Sequence, residues 1–257
     1  MPPQAAAGDD TPRRTHFGYD EVAADEKAAK VAQVFRSVAR RYDLMNDLMT
    51  WGLHRWWKRR AIQIADVHPG DRVLDLAGGT GDIAIRLAKR VGPSGHVVLS
   101  DINPAMLAEA ERRLKKHRLA NRISITEADA EDLPFADHEF DAVTIGFGLR
   151  NVTNQPRALE SIRRVLKPGG RLVVLDFSRP VAPLARPLYD AYSFAVLPAL
   201  GKILLNDAKS YRYLAESIRM HPDRSTLRNM MTTSRFESCG YHTMLFGIVA
   251  AHSGVKA

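Results

Sequence analysis

Val73-Leu74-Asp75-Leu76-Ala77-Gly78-Gly79-Thr80-Gly81-Asp82 runs from an apolar strand through a glycine cluster into the start of a helix. Three glycines within four residues, Gly78, Gly79 and Gly81, permit positive φ angles and let a ligand lie against bare backbone. The N–H groups that open the next helix supply donors. A nucleotide-like cofactor is the natural occupant. Gly79-x-Gly81-x-x-Ala84 also fits a loose dinucleotide fingerprint. Asp75, near the carboxyl end of the strand, favours a cationic ligand, because a carboxylate there accepts hydrogen bonds and offsets positive charge; a tight turn with a solvated acid is the plainer alternative.

Downstream the pattern alternates. Ile83 to Val91 reads as a helix, Pro93-Ser94-Gly95 as a loop, and His96 to Ser100 as a strand ending at Asp101, with Pro104 opening another helix. Ile123 to Thr126, Ala142 to Ile145 and Arg171 to Asp176 read as further strands, the last preceded by a helix from about Pro156 to Leu166; Phe246 to Ala251 reads as a final strand. Strands separated by helices imply a parallel sheet covered on both faces, an α/β fold. Ligands on such sheets bind at the carboxyl ends of the strands. Asp75, Asp101, Asp129 and Gly146 all fall at or near such ends, so one edge of the sheet gathers them. Asp101, 20 residues after Gly81, suits a ribose diol, the alternative being a helix cap ahead of Pro104.

Upstream, residues 1–14 are rich in Pro, Ala and charge and read as a disordered lead. From about Tyr19 to Trp51 apolar residues recur at helical spacing, which predicts a helical lid over 15–66 ahead of the main domain at 67–257. Between residues 30 and 60, eight basic side chains (30, 36, 40, 41, 55, 58, 59, 60) stand against Asp43 and Asp47. With Trp56 and Trp57 beside them, they read either as a solvated lid face or as a surface for anionic lipid. The formal charge of +8 agrees with an anionic partner without choosing among nucleic acid, membrane and acidic substrate. No run reaches the roughly 18 apolar residues of a membrane span, and the first residues lack a signal-peptide core. The expected location is cytoplasmic, at the inner face of the cell membrane. Cys239 is the only cysteine, so neither an intrachain disulfide nor a cysteine metal cluster is expected. No metal site is read. Leu184 to Leu205, apolar but broken by Arg186, Asp190, Pro198 and Lys202, reads as part of a helical cap inserted after the fifth strand, about 181–232.

Asp75 through Gly81, Asp101, Asp129-Ala130-x-x-Leu133-Pro134-Phe135 and Leu166-Lys167-Pro168-Gly169-Gly170 resemble the successive motifs of class I S-adenosylmethionine-dependent methyltransferases. FRSVARRYDLMNDLMTWGLHRWWKR (35–59), FGLRNVTN (147–154), LKPGGRLVVLDFS (166–178), YDAYSF (189–194) and SYRYLAESIRMHP (210–222) extend the resemblance to the UbiE/MenG family, from about Phe17 to the C-terminus. The resemblance implies a Rossmann-like fold with a mostly parallel seven-stranded sheet. Its implied activity is transfer of a methyl group to a ring carbon of a polyprenylated benzoquinol or naphthoquinol in ubiquinone or menaquinone biosynthesis. Ala77 replaces the glycine usual in the superfamily and is the usual residue of this family. Carried over, S-adenosylmethionine meets Asp75, Gly79, Thr80, Gly81 and Ile102, its ribose Asp101, and its adenine Asp129 and Ala130; Gly146, also on the cofactor, stands where the family often has Ser.

The chemistry implied needs a phenolate, because an aromatic carbon is a poor nucleophile until the adjacent hydroxyl ionises. Arg150 and Asn151 are the leading catalytic pair, Arg150 stabilising the phenolate and Asn151 holding water; the alternative is that Arg150 packs the loop and Asn151 caps the next helix. His54 and His221 are alternative bases. Tyr42, Tyr189, Tyr192 and Tyr211 are candidate walls of the quinol pocket, with Tyr213 beside them, unless they are core residues. The expected partners are the quinol, a membrane surface and a quinone-biosynthesis assembly, with a homodimer open and nucleic acid not expected. Two other function classes stay open: a methyltransferase acting on a soluble molecule or nucleic acid, and a non-catalytic scaffold of the quinone pathway.

Overall fold

The computed structural model describes residues 14–38, 42–179 and 208–257. The chain enters through a hairpin, β1 (Arg14–Phe17) and β2 (Asp20–Ala23), followed by helices α1 (Ala24–Val38), α2 (Tyr42–Thr50) and α3 (His54–Ala65). It then alternates through β3 (Arg72–Leu76), α4 (Asp82–Val91), β4 (His96–Asp101), α5 (Pro104–His117), β5 (Ile123–Glu127), β6 (Phe140–Gly146), a 3-10 turn at Leu149–Asn151, α6 (Gln155–Val165) and β7 (Leu166–Phe177). Helices α7 (Ala208–Met220) and α8 (Arg224–Thr233) precede β8 (Phe236–Met244), a 3-10 turn at Leu245–Gly247 and β9 (Val249–Lys256).

The seven-stranded sheet runs β5-β4-β3-β6-β7-β9-β8, with only β9 against the rest. Its central strands are buried on both faces. Val73, Val97, Leu99, Val173 and Leu175 face one core with residues of α3, α4 and α5. The intervening Leu74, Leu76, Val98, Leu172 and Val174 face the other, with residues of α6 and α8. Each such side chain contributes roughly 1.5–3 kcal/mol when fully buried, and a slip of one residue would exchange the two faces, so the register is strongly specified.

The helices obey local signals. Gly81, at φ +82°, turns the chain into α4, whose Ile83, Ala84, Leu87, Ala88 and Val91 form the buried stripe. Asn103 Oδ1 accepts from Ala105 N to cap α5, with Pro104 at the first helical position. Asn154 Oδ1 accepts from Arg157 N to cap α6, so that cap is Asn154, not Asn151.

Four boundaries differ from the sequence reading. The stretch before Ala24 is a β-hairpin with Tyr19 in its turn, not helix. Helix α3 is no lid: Trp57, Ala61, Ile62 and Ala65 belong to the sheet's own core, and Arg171 Nη1 donates to Ile64 O at 3.4 Å. Helix α8 lies inside the span read as a cap, yet Leu227 and Met231 are buried in the other sheet core. The final strand begins at Val249; Phe246 sits in the turn before it, at φ +54° and 74% exposed. Strand β8 escaped the reading because this edge strand, FESCGYHTM, carries no apolar alternation. The segment Leu184 to Leu205, with Tyr189 and Tyr192, lies outside the described residues, as do the lead before Arg14 and the side chain of Tyr42.

Candidate active site

The carboxyl ends of β3, β4 and β6, closed over by α1, frame a cavity. Its floor is Leu76, Ala77 and Gly79, with Asp101, Ile102, Asn103 and Met106 on the β4 side. Ala128 to Glu131 form another wall, Gly146 to Gly148 with Asn151 to Thr153 a third, and Ala28, Val31, Ala32 and Phe35 of α1 the roof. Helix α1 is held from two sides: Lys27 Nζ donates to Val152 O at 3.2 Å, and Asn103 Nδ2 donates to Ala32 O at 3.2 Å.

Asp101 is tied to the glycine loop. Its Oδ2 accepts from Gly79 N and its Oδ1 from Asn103 N, each at 2.9 Å. Burial raises its pKa against those backbone donors. Asp129 Oδ1 likewise accepts from Glu131 N at 2.9 Å. Among the described residues, the charged groups lining this cavity are Asp101, Asp129 and Glu131, all carboxylates. A cationic ligand suits such a lining. The pyrophosphate of a dinucleotide would meet three acids here, which disfavours the dinucleotide reading of the glycine turn.

Gly79, Asp101, Ile102, Asp129, Ala130 and Gly146 thus fall on the cavity, as the sequence led us to expect. Asp75, Thr80 and Gly81 do not. The Asp75 side chain stands perpendicular to the sheet, fully buried, with Oδ1 accepting from Thr144 Oγ1 at 2.8 Å. Burial pushes its carboxyl up to about 7, against the Thr144 hydrogen bond. Thr80 turns to α5, where Arg113 Nη1 donates to its Oγ1 at 2.7 Å and also to its carbonyl. Gly81 is required by its φ of +82°, and a Cβ on it would make ordinary contact with Leu99 and Ala110 and would not face the cavity. These residues carry the loop; its Gly79 backbone meets the cavity. A Cβ on Gly146 would lie 2.3 Å from Ile83 Cδ1, so Ile83 fills the space a serine would take.

A second, mostly apolar cavity adjoins the first, sharing Phe35 and Phe147. Val34, Met49, Phe177 and Leu214 line it with the polar groups of Asn46, Thr50, His54, Arg150, Ser210 and Tyr213. Phe147 and Phe177 lie 4.9 Å apart between ring centroids, and the Arg150 guanidinium sits 5.6 Å from the Phe177 ring. This wall suits a planar aromatic acceptor.

Arg150 is buried and paired. Its Nη1 donates to Asp176 Oδ1 at 2.8 Å and to Phe147 O, and its backbone N donates to Asp176 Oδ2 at 3.3 Å. Its charge is therefore balanced by Asp176. Asn151 lines the cofactor cavity and accepts on Oδ1 from Tyr213 OH at 3.0 Å, linking the two cavities. Burial pushes the Tyr213 phenol up to about 12, with Asp176 adding to the rise and Arg150 opposing it, so it stays a neutral donor.

Tyr211 is not a wall of either cavity among the described residues; it is buried with Met49, Leu214 and Ile218. His221 is likewise buried away from both cavities, and burial lowers its pKa. His54 does line the acceptor cavity. Lys58, read as part of a basic face, is instead buried against Asp82 at 2.9 Å; burial works to raise that aspartate, but Lys58 and Arg86 hold it down at about 2. Tyr213, read from sequence beside the candidate pocket tyrosines, does line the second cavity; Asp176, Phe147 and the roof of α1 were not singled out as site residues from sequence. The LDFS stretch and the position of α1 ahead of the core were signals for two of them.

The sequence model described as the "ubiE/COQ5 methyltransferase family" matches residues 23–256. "Ubiquinone/menaquinone biosynthesis C-methyltransferase UbiE" of Pseudomonas putida is 55% identical over 249 residues, covering 97% of this chain and 97% of that protein. In fold, the chain is similar to an S-adenosylmethionine-dependent methyltransferase from Aquifex aeolicus, with a TM-score of 0.60 at 15% identity, covering 84% of this chain and 98% of that one. It is also similar to Haemonchus contortus phosphoethanolamine N-methyltransferase 2, solved in complex with S-adenosyl-L-methionine, with a TM-score of 0.59 at 15% identity, covering 77% of this chain and 52% of that one.

Proposed function

The chain belongs to the ubiE/COQ5 methyltransferase family, and from that membership we propose the reaction that its two cavities serve: S-adenosylmethionine-dependent C-methylation of the ring of a polyprenylated quinol in ubiquinone or menaquinone biosynthesis. The observation that carries the reading is the adjacency of a cavity whose charged groups, among the described residues, are all carboxylates to an aromatic-walled one, with Phe35 and Phe147 common to both. S-adenosylmethionine, when bound, supplies an electrophilic methyl on a sulfonium whose positive charge suits the three acids. Asp101 accepts from the ribose hydroxyls, the Gly79 backbone bears on the methionine end, and Asp129, Ala130 and Ile102 hold the adenine.

Phe147, Phe177 and Phe35 hold the quinol ring against the boundary between the cavities, and most of the acceleration comes from keeping carbon and methyl at near-attack distance. Arg150 fixes the acceptor wall through its bonds to Asp176 and Phe147 O. Arg150→Ala would leave Asp176 buried without its cation, at a cost of about 3–5 kcal/mol to the fold, so that variant reports stability as much as catalysis. The test is anaerobic methyl transfer from labelled S-adenosylmethionine to a short-chain demethylated naphthoquinol and to the corresponding benzoquinol. Label on the ring carbon of either is expected. Label on neither, with the cofactor bound, would overturn the reading.

A further inference from the structure

We infer that His54 is the catalytic base of this site, with its Nδ1 proton held by Thr50 and its Nε2 lone pair presented to the hydroxyl of the bound acceptor ring. This rests on the reading of the acceptor as a quinol. The tautomer follows from counting one hydroxyl proton. Thr50 Oγ1 donates to Asn46 O at 2.7 Å. A hydroxyl has a single proton, so toward His54 Nδ1, 3.0 Å away, Thr50 can only accept, as it does from His54 N at 3.2 Å. Nδ1 therefore carries the hydrogen, and Asp47 Oδ1, 3.7 Å from it, favours that arrangement. Nε2 is left as an acceptor, and among the described residues nothing hydrogen-bonds to it.

The other ionisable groups on this cavity among the described residues are Arg150 and Tyr213. Arg150 is a cation paired with Asp176, and Tyr213 spends its proton on Asn151. Neither accepts a proton at neutral pH. His54 does: burial, then Lys58 and Arg55, lower its pKa, against Asp47 and Asp82, so the ring is neutral and basic at pH 7.

The step balances. Nε2 takes the proton of the hydroxyl next to the accepting carbon, the O–H electron pair moves into the ring, and that carbon bonds the methyl as the C–S bond breaks with its electrons left on sulfur. The carbon then loses its own hydrogen to solvent as the ring regains aromaticity, and the imidazolium returns its proton to the oxygen. One proton is released per methyl transferred.

Three measurements test this on the full chain. Nitrogen-15 NMR of the labelled enzyme at neutral pH should show His54 protonated on Nδ1 and bare on Nε2; the opposite tautomer overturns the inference without any variant. His54→Gln should lower kcat by about a hundredfold or more while calorimetric affinity for S-adenosylmethionine stays within severalfold. Its residual rate should climb with pH toward the phenol's own ionisation near 10, where the wild type is level through neutrality and falls in acid. Thr50→Val, which removes the acceptor for Nδ1, should lose part of the activity and mix the tautomers. Near-normal turnover and an unchanged pH profile in His54→Gln overturn the inference alone; a wild type inactive on every prenylated quinol overturns the quinol reading and this inference with it.

Discussion

Asp75 and Asp101 stand on adjacent strands and serve different ends. Asp101 is on the cavity and Asp75 is under the loop. Asp101→Ala leaves the ribose hydroxyls without their acceptor at roughly 1.5–3 kcal/mol, so S-adenosylmethionine affinity measured by calorimetry should fall about ten- to a hundredfold. Asp75→Asn should leave that affinity within about threefold. Its effect is on stability and depends on pH. The folded carboxyl titrates at about 7, above its ordinary value of 3.8, so the folded protein binds the proton more tightly than the unfolded chain does. Wild-type stability then falls as pH rises from about 4 to 7, and the penalty is complete above 7. Asn carries no such penalty. In chemical unfolding, Asp75→Asn should match the wild type near pH 4 and exceed it by about 2–4 kcal/mol at pH 8; a gap that does not change with pH would refute the assignment of the raised pKa.

Among the elements, β9 and α8 illustrate how the edge of the sheet is secured. His252 of β9 donates from Nε2 to Arg224 O of α8 at 2.9 Å, and its buried Nδ1 has no partner among the described residues. Burial, reinforced by His221, depresses His252 to about 4, against the Arg224 carbonyl and Asp176. A histidine held below its unfolded value of 6.5 stabilises the fold fully above that pH and loses its contribution as pH falls toward 4. His252→Gln, which retains a donor for the Arg224 carbonyl, should flatten the acid side of the stability profile by roughly 3 kcal/mol. Because His221 is shifted the same way, the limb should be reduced and not abolished. Thermal unfolding at pH 4.5 and 7.5 separates these outcomes; equal acid loss in both proteins would remove His252 from the account.

At the scale of the molecule, exposed apolar side chains gather at the site end of the sheet. Helix α3 begins there, with His54 on the acceptor cavity, and the β8–β9 turn lies there because Val249 pairs with Phe177 at the end of β7. Trp51, Leu53 and Trp56 beside the start of α3, and Leu245 and Phe246 in the β8–β9 turn, are exposed, Trp51 by 85%. Of the basic stretch, which reads from sequence either as a solvated lid face or as a surface for anionic lipid, Lys58 is buried with Asp82 and the exposed Arg55 pairs with Asp47 at 2.6 Å. Among the described residues no helix is long and apolar enough to cross a membrane. We therefore predict surface attachment led by aromatic side chains: Trp51→Ser with Trp56→Ser should reduce cosedimentation with vesicles severalfold, while raising salt, which screens charge over roughly 10 Å at 0.1 M, should have the smaller effect. Loss of binding with salt alone, unchanged by the tryptophan pair, would restore the basic face as the attachment.

The sequence by itself determined the alternation of strands and helices, the glycine turn, the edge of the sheet that binds ligand and the family. Those properties are local or periodic: apolar runs, the helix start at Pro104 and glycines each act within a few residues of themselves. What only the tertiary structure decided is which acid lines the first cavity, which cations are neutralised, and which histidine lines the second cavity. Asp75 and Asp101 look alike along the chain, but the strand register sets Asp75 level with Leu99, under the glycine loop, and Asp101 two residues further along, on the cavity. Arg150 reads as a ready cation until Asp176, 26 residues away, is folded against it. The charge state of a buried group is set by its neighbours in space and by its loss of water, and neither is written in the order of its neighbours along the chain.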